Sequence, residues 1–327
     1  MKYFLVGGAV RDILLNQTPR DYDYVVLNSS PEEMVKLGFL PVGSSYQVFL
    51  HPQTKEEYVL AFDLEEDLAR RDLTINSMAM DEAQNLIDPY NGQLDLKQKI
   101  LRHTSMHFSE DALRIYRLAR FKSQYPDFSI ADETLELCKK LGKSDEFKNL
   151  KSERILSELE GSLSSTMPSL FFDTLSKIEA LSIHFPEIKS WAHLDLVIDQ
   201  NPVLRFAALV QGLNFKDVLP FCKRLMVPND WLEAAQTANQ VYSQLDFLGE
   251  MPAEKIVELL YKIDAFRKPY LLKILDKLYG AKTAVLLQSF EILKGVSIND
   301  IAKGITGKEI GVEIKNKRVS RLQRSRF

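Results

Sequence analysis

The stretch "LVGGAVRDILLNQTPRDYDYVVL", residues 5–27, decides the fold of the first part of this chain. A short apolar run ends at Gly7 and Gly8, a helical segment follows, and a second apolar run begins beside Asp21 and Asp23. This pattern predicts a strand, a glycine turn, a helix and a second strand. Glycines let backbone N–H groups approach a phosphate, and a helix N-terminus favours anions. The stretch therefore predicts a phosphate-binding turn.

The acidic pair that follows the helix predicts a metal site. Side chains two apart in a strand point to the same face, so the carboxylates of Asp21 and Asp23 lie close together and repel each other unless cations intervene. Two carboxylates that hold two Mg²⁺ ions can activate a hydroxyl and stabilise a leaving pyrophosphate. Arg11, on the first turn of the helix, is placed to bind a phosphate oxygen. An acidic pair alone also fits a polar exposed strand face, and the dinucleotide-binding fingerprint G-x-G-x-x-G is absent.

Composition limits the class of protein. With 327 residues the chain is too long for one core of the usual size, so two or three modules are expected. The two cysteines, Cys138 and Cys222, lie far apart and favour a reducing compartment. Neither a signal peptide nor a membrane span is evident, which predicts a cytoplasmic protein without a membrane partner. The net charge of −3 gives no indication of nucleic-acid binding.

The texture of the sequence changes near residue 108. Before it, "QVFLH" and "EYVLAF" add further strand patterns, and "SPEEMVKLG" predicts a short helix with Ser30 as its N-cap. After it, most segments carry apolar residues at helical spacing. The sequence therefore predicts an α+β fold, in which a small mixed-sheet module precedes a long all-helical portion.

The segment "EDALRIYRLARF", residues 110–121, places an acid pair ahead of three regularly spaced arginines. Spacing of three keeps Asp111, Arg114, Arg117 and Arg120 on one slowly drifting helical stripe. In isolation, an Asp–Arg salt bridge on a solvated helix is the better interpretation. Beside a nucleotide, a fixed carboxylate and a fixed guanidinium fit the base edges of C and A but not those of G or U. Arg117 and Arg120 are then placed for the triphosphate.

Five motifs occur in a fixed order: "LVGGAVRD", "RDYDYVV", "RRDLTINSMAMD", "LIDPYNG" and "EDALRIYRLARF". Together they resemble the class II tRNA nucleotidyltransferases, which are the CCA-adding enzymes, and the related bacterial poly(A) polymerases. The chain is most similar to the gamma-proteobacterial CCA-adding type. The resemblance implies a polymerase-β-like nucleotidyltransferase head with a mixed sheet (1–108), an all-helical neck (109–185), and a helical body and tail (186–327). It also implies two Mg²⁺ ions, CTP and ATP as substrates, a tRNA 3′ end as acceptor, and a monomer or homodimer.

The resemblance carries over to individual residues. Asp21 and Asp23 correspond to the catalytic metal-binding carboxylates, and Glu57 falls near a strand carboxylate that assists the metals. Asn76 is expected to be structural or to face the sugar. The residues implied to bind the nucleotide are Gly8, Arg11, Arg71, Asp111, Arg114, Arg117 and Arg120.

The C-terminal segment "KNKRVSRLQRSRF" is basic, with no acid among its residues. We expect Arg318, Arg321 and Arg324 to hold the phosphates of tRNA. A solubilising, partly disordered end is the alternative.

Two features depart from the family. A loop of the family between the segments that match "EYVLA" and "RRD" is missing here, and Phe62 stands where an arginine is expected; family members that add only CC tend to lack this loop. CCA addition and CC addition alone therefore both remain open. Gln211 and Gly212 occupy the expected His-Asp site of the HD domain, so no phosphohydrolase activity is expected. A poly(A) polymerase and an inactive RNA-binding module remain the alternative functions.

Overall fold

The computed structural model describes residues 1–42, 47–297, 300 and 308–325. The chain forms two compact units, each built from two segments. The predicted boundary between residues 108 and 109 falls inside the first unit, whereas the predicted boundary near 185 coincides with a change of unit. The three-part division stays a prediction. The first unit is Met1–Lys151 with Leu170–His184, and the second is Ser152–Ser169 with Phe185–Phe327.

The first unit contains a seven-stranded mixed sheet in the order β3-β4-β5-β2-β1-β6-β7. All four predicted strands form, at β1, β2, β4 and β5; β3, β6 and β7 complete this sheet, and β8 and β9 form a separate two-stranded sheet. The strands are β1 (Lys2–Val6), β2 (Asp23–Leu27), β3 (Leu40–Val42), β4 (Val48–Leu50), β5 (Glu57–Leu60), β6 (Ala79–Met80), β7 (Leu86–Ile87), β8 (Ile100–Leu101) and β9 (Ser129–Ile130).

Both faces of the sheet are covered, because side chains alternate along each strand. On β2, Val25 packs with Phe4 and Leu68, while its neighbour Val26 packs on the opposite face with Met34. β1 and β2 are antiparallel, whereas β2 and β5 are parallel. The start of β2, where the acidic pair lies, is therefore next to the end of β1 and the start of β5.

Helices connect and cover these strands. The second helix begins as predicted, because Ser30 accepts a hydrogen bond from the backbone of Glu33 and the Glu33 side chain returns to the backbone of Ser30, which forms a capping box. The helices of the first unit are α1 (Gly8–Leu14), α2 (Pro31–Lys36), α3 (Leu64–Ala69), α4 (Gly92–Gln98), α5 (Arg114–Gln124), α6 (Asp132–Leu141), α7 (Asp145–Lys148), most of α9 (Ser169–Lys177) and α10 (Leu181–His184).

One strand, β9, follows residue 108, although only helices are expected there. Lys99 forms a salt bridge with Asp127. Close to this ion pair in the sequence, β9 pairs in parallel with β8. Each of these strands has only two residues, so neither produces a detectable strand pattern.

The described residues of the second unit are helical. Its core is formed by side chains such as Ile256, Leu260, Leu275 and Leu286, all buried. None of the helices in the described ranges is long and apolar enough to span a bilayer. The helices are α8 (Ser152–Leu163), α11 (Pro202–Val210), α12 (Phe215–Arg224), α13 (Asn229–Tyr242), α14 (Ala253–Lys262), α15 (Tyr270–Tyr279), α16 (Ala284–Leu293) and α17 (Lys308–Ser325). The predicted α+β fold is confirmed.

Candidate active site

The glycine turn between β1 and α1 is built around Gly7. Its φ of 73° lies in the left-handed region, and its N–H donates to the Met78 carbonyl at 3.3 Å. A Cβ at this position would lie 2.6 Å from Nη1 of Arg71, so any side chain would displace that arginine. Gly7 thus allows the Arg71 guanidinium to lie against the start of α1.

A cleft of about 400 Å³ opens beside this turn; we call it the catalytic cleft. It brings together five of the residues singled out from the sequence: Gly8, Arg11, Asp21, Asp23 and Arg120. The other residues that line it are Ala9, Asp12, Gln17, Thr18, Arg20, Phe121, Gln124 and Tyr125. Cationic and anionic side chains therefore share one small cleft next to a helix N-terminus.

The acidic pair lies at the edge of the sheet. β2 begins at Asp23, so Asp21 precedes the strand instead of lying within it. Burial raises the pKa of Asp23; nearby Arg71 opposes that effect, and the Asp21 carboxylate adds to it. Two close carboxylates, of which Asp23 is partly buried and Asp21 is exposed, form an oxygen donor set that suits Mg²⁺.

Glu57 is the register partner of Asp23 across the parallel β2–β5 pair. Its side chain is exposed and does not line the catalytic cleft. Within the described ranges, no three His, Cys, Asp or Glu side chains are grouped to hold a metal. The assisting role of Glu57 stays a prediction.

Arg11 is held firmly at the wall of the catalytic cleft. Its Nε and Nη2 donate to Oδ1 of Asp12 at 2.9 and 2.7 Å, and its Nη1 donates to Oδ1 of Asn76 at 2.7 Å. The guanidinium carbon lies 5.5 Å from the ring centroid of Phe121 and 5.6 Å from that of Tyr125. Arg11 is thus oriented before any ligand binds.

The three arginines of α5 lie on one partly exposed stripe of that helix. Arg114, Arg117 and Arg120 are partly exposed, and the two residues between each of them and the next are buried. Arg120 faces the catalytic cleft, where its Nη1 donates to Gln124 at 3.1 Å. The predicted helical stripe is therefore correct for the arginines.

The prediction that Asp111 continues this stripe is wrong. Asp111 has an extended backbone, with φ −138° and ψ 107°, and it precedes the helix. Its Oδ1 accepts a hydrogen bond from the N–H of Leu113 at 3.0 Å, and its carbonyl accepts one from the N–H of Arg114. The carboxylate tightens the turn that leads into α5, because short acidic side chains readily bond to nearby backbone N–H groups.

Arg114 is anchored by backbone oxygens at the start of α5. Its Nη1 donates to the His107 carbonyl at 2.5 Å, and its Nη2 donates to the Arg70 carbonyl. Arg70 directly precedes Arg71 in the chain, and Nη2 of Arg71 is paired with Asp67 at 3.0 Å. Neither Asp111 nor Arg114 lines the catalytic cleft, so their role in base selection stays a prediction.

Several residues of the site were missed from the sequence. Arg20 and Tyr125 line the catalytic cleft, and Asp72 binds Arg117, whereas Asn76, which was expected to be structural or to face the sugar, binds Arg11. Arg20 directly precedes Asp21, and Asp72 directly follows Arg71. Their position beside a predicted site residue was the signal that the sequence offered. Tyr125 offered none, because its position depends on where α5 ends.

The five histidines all have structural partners. The His103 ring bonds to Thr134, that of His107 to Glu110, and that of His184 to Tyr116. At the expected HD site, Gln211 accepts a hydrogen bond from the Tyr279 hydroxyl at 2.8 Å. The other two histidine rings are those of His51, which bonds to Thr54, and His193, which bonds to the Ala208 carbonyl.

In the basic C-terminal helix, the predicted phosphate contact Arg318 is wrong, because its side chain is turned into the core of the second unit. Only 8% of the residue is exposed, and its guanidinium carbon lies 3.5 Å from the ring centroid of Phe266. Its Nη1 donates to the Tyr261 hydroxyl at 2.7 Å, and its Nη2 donates to the Val296 carbonyl at 3.3 Å. A guanidinium enclosed in this way cannot bind a phosphate on the surface.

Arg321 and Arg324 remain exposed on α17 and line a separate cleft of about 470 Å³. Their predicted phosphate contacts are compatible with this position and stay predictions.

The connection between β5 and α3 is short and ordered. It comprises Ala61, Phe62 and Asp63, and the Asp63 side chain caps α3 by accepting from the N–H of Glu66 at 2.9 Å. The Phe62 side chain is fully exposed.

Comparison with known proteins agrees with this arrangement. The family described as "Poly A polymerase head domain" matches residues 3–41 and 42–102, and the family described as "Probable RNA and SrmB- binding site of polymerase A" matches residues 127–192. A CCA-adding enzyme of Coxiella burnetii (strain RSA 331 / Henzerling II) is 42% identical over 294 positions, which cover 82% of this chain and 78% of that protein. The chain belongs to the CCA-adding enzyme family.

Other members of the family match over nearly the whole chain. A Multifunctional CCA protein of Legionella pneumophila (strain Lens) is 36% identical over 400 positions, which cover 99% of this chain and 98% of that protein. Because this chain has 327 residues, that relative carries segments that are missing here. A Bacillus stearothermophilus CCA-adding enzyme, solved in complex with CTP, has a TM-score of 0.77 at 21% identity and supports the fold; the match covers 99% of this chain and 89% of that one.

Proposed function

We propose that this protein is a template-independent nucleotidyltransferase that adds CCA to tRNA 3′ ends from CTP and ATP, with release of pyrophosphate. The observation that carries the proposal is the catalytic cleft, which combines a glycine turn, a helix N-terminus, the Asp21–Asp23 pair and the arginines Arg11 and Arg120. Phosphoryl transfer needs little more than positioning and charge stabilisation, and these groups supply both.

Within this cleft the side chains divide the work. Arg11, Arg120 and the N–H groups at the start of α1 bind the triphosphate, while Arg71 contacts its sugar or phosphates. The tRNA 3′-hydroxyl gives up its proton to solvent, and its oxygen attacks the α-phosphorus of the nucleotide to form the new P–O bond. The bond between the α-phosphorus and the bridging oxygen breaks, and the electron pair leaves with pyrophosphate.

Asp21 and Asp23 are the residues that would hold Mg²⁺. The two carboxylates fit the ion because their charges are close together and Asp23 is partly desolvated, so a cation relieves their repulsion. Bound Mg²⁺ supplies charge neutralisation for the triphosphate and the acceptor hydroxyl. Triphosphate oxygens and water would complete the ligand set, since the described residues show no group of three His, Cys, Asp or Glu side chains.

Base choice is proposed for Asp111 and Arg114. The carboxylate accepts from, and the guanidinium donates to, the edge that C and A share. Asp111 now accepts from the Leu113 N–H and Arg114 donates to backbone carbonyls, so binding a nucleotide would exchange these hydrogen bonds for contacts with the base. We also propose that Arg321 and Arg324 on α17 bind phosphates of the tRNA.

The assay uses three tRNA substrates, which lack CCA, end in the first C, or end in the second C. Each is incubated with Mg²⁺ and CTP, ATP or both. Addition of CCA supports the full proposal. CC addition without A would restrict it, and would point to the short β5–α3 connection. No incorporation of either nucleotide would overturn it.

The metal assignment has its own variant. Asp23→Ala should abolish every product, because one carboxylate cannot hold the ions. Glu82→Ala is a matched control that removes a carboxylate bonded to Tyr3 and outside the catalytic cleft. Retained activity in Asp23→Ala would contradict the assignment.

A poly(A) polymerase is the second candidate, favoured by the match of residues 3–102 to a poly(A) polymerase head family. It predicts long A tails on any RNA 3′ end when ATP is the sole nucleotide. Activity restricted to tRNA, with C added before A, would exclude a poly(A) polymerase.

A further inference from the structure

We propose that Asp72 and Asn76 are positioning residues, which form a buried strut between the phosphate-binding Arg11 and Arg117 on α5. The inference rests on the proposed function and concerns how the arginines of that site are held. The strut lies wholly within the first unit and joins the helix after the glycine turn to α5.

A continuous chain of hydrogen bonds forms the strut. Nη1 of Arg11 donates to Oδ1 of Asn76 at 2.7 Å. Nδ2 of Asn76 donates to Oδ1 of Asp72 at 2.9 Å, and Nε of Arg117 donates to Oδ2 of Asp72 at 2.7 Å. Both ends of the Asn76 amide are therefore used, one toward each arginine.

Neither strut residue is placed to touch a nucleotide. Asp72 is 6% exposed and Asn76 is 5% exposed, and neither lines the catalytic cleft. The carboxylate also accepts from the N–H of Leu73 at 2.8 Å. Burial opposes the charge on Asp72, but Arg117, Asn76 and the Leu73 N–H outweigh it and keep the pKa of the carboxyl low. Both residues must then act through the arginines they bind.

The arginines need such support because they converge on one ring. The guanidinium carbons of Arg120, Arg11 and Arg117 lie 4.7, 5.5 and 5.7 Å from the ring centroid of Phe121. The π face attracts each cation, while the cations repel one another. The buried Asp72 carboxylate reduces that repulsion. Together with the Asn76 amide, it fixes the guanidinium planes of Arg11 and Arg117 before the triphosphate binds.

The amide of Asn76 is the most selective place to cut the strut, because its removal changes no charge. Asn76→Ala leaves Arg11 without its Asn76 acceptor and disconnects it from Asp72. Ser77→Ala is the matched control: Ser77 is the next residue and fully buried, and its hydroxyl bonds to the Leu73 carbonyl at 3.0 Å and to Thr104 at 2.6 Å. Both variants remove buried hydrogen bonds, and only the first touches an arginine of the site.

The measurement is CTP incorporation into tRNA that lacks CCA, with kcat/KM for CTP and KM for tRNA determined for each variant. Asn76→Ala should lower kcat/KM for CTP about tenfold, since one charge-assisted hydrogen bond is lost, and should leave KM for tRNA within about twofold. Ser77→Ala should lower the thermal midpoint without changing kcat/KM for CTP. Equal effects of the two variants on kcat/KM would overturn the inference.

A double-mutant cycle tests whether the effect passes through Arg11. Adding Asn76→Ala to Arg11→Lys should cost less than about twofold more, because the orientation that Asn76 provides is already lost. A full tenfold loss in that background would reject the strut. If Asn76→Ala does not fold, Asp72→Asn keeps the volume of the side chain, places an amide against Nε of Arg117, and should show the same loss.

Failure of the inference is distinguishable from failure of the proposed function. If the wild-type protein incorporates no CTP, the proposed function is wrong. If the wild type is active and Asn76→Ala matches Ser77→Ala, only the strut is wrong.

Discussion

Two helices of this protein carry three arginines at identical spacing, and the structure uses them differently. On α5 the arginines are Arg114, Arg117 and Arg120, and all three occupy the partly exposed stripe of the helix. On α17 the first of the set, Arg318, occupies the buried stripe together with Leu322, while the other two are exposed. Spacing alone therefore does not determine what an arginine does.

The partners explain the difference. Arg117 pairs with the buried carboxylate of Asp72, and Arg120 faces a cleft that contains Asp21 and Asp23. Arg318 instead lies against the Phe266 ring and donates to the Tyr261 hydroxyl and a backbone carbonyl. The Asp72 carboxylate therefore holds Arg117 at the partly exposed face of α5, whereas the ring, the hydroxyl and the carbonyl hold Arg318 inside a core.

The largest expected effect lies on α5. Arg114→Ala should reduce the preference for CTP over UTP about tenfold to a hundredfold, because a mismatched group left buried costs roughly 1–3 kcal/mol and the arginine enforces that mismatch. The measurement is the ratio of CTP to UTP incorporation into tRNA that lacks CCA. Arg321→Ala on α17 is the control and should leave the ratio unchanged. An unchanged ratio in Arg114→Ala would remove base selection from this helix.

The next effect concerns the buried arginine of α17. Arg318→Ala should lower the free energy of unfolding of the second unit by about 2–3 kcal/mol, because it leaves a cavity and unpaired polar groups in a core. The chain has two tryptophans, and the buried Trp231 belongs to this unit, so denaturant unfolding followed by its fluorescence reports the change. Arg321→Ala should change the same quantity by less than about 0.5 kcal/mol. If both variants behave alike, Arg318 does not stabilise the core.

The exposed pair on α17 should affect affinity for tRNA. Replacing Arg321 and Arg324 by Gln should weaken tRNA binding about threefold to tenfold and reduce the slope of log affinity against log salt by about 1–2, because up to two phosphate contacts are lost. Arg267→Gln is the control, since its exposed side chain (82%) lies on the same unit outside this cleft. An equal loss in the control would indicate a general charge effect.

The sequence predicted much of the first unit and little of the second. Gly8, Arg11, Asp21, Asp23 and Arg120 could be brought together from motifs, because a glycine turn and an acidic strand start have few possible arrangements. The two-residue strands β8 and β9 could not be predicted, since they exist only through contact with each other. The same limit applies to side chains that act through distant partners.

Asp72, Asn76 and Arg318 show this limit most clearly. Nothing in the spacing of "RRDLTIN" reveals that Asp72 reaches Arg117, which lies 45 residues away. Similarly, the basic run that ends the sequence indicates a polar surface, and only the contacts with Phe266, Tyr261 and Val296 explain why Arg318 is buried. Sequence reasoning identified residue types and faces, and the fold then determined the partners.

The smallest expected effect is a difference in how stability depends on pH: it involves Asp72, the partner of Arg117 on α5, and Arg318 on α17. Asp72 has a lowered pKa in the folded protein, despite its burial, because Arg117 and hydrogen bonds favour its charged form. Its contribution to stability is therefore complete above the unfolded pKa, about 3.9, and is lost as pH falls through the lower folded value. Asp72→Asn should remove this acid-dependent part of the unfolding free energy of the first unit. Arg318 gains its contacts from groups that do not titrate in acid, so Arg318→Ala should shift stability by the same amount at pH 7 and at about pH 3. A pH-dependent shift in Arg318→Ala would show that a carboxylate also holds that arginine, and the contrast between α5 and α17 would then fail.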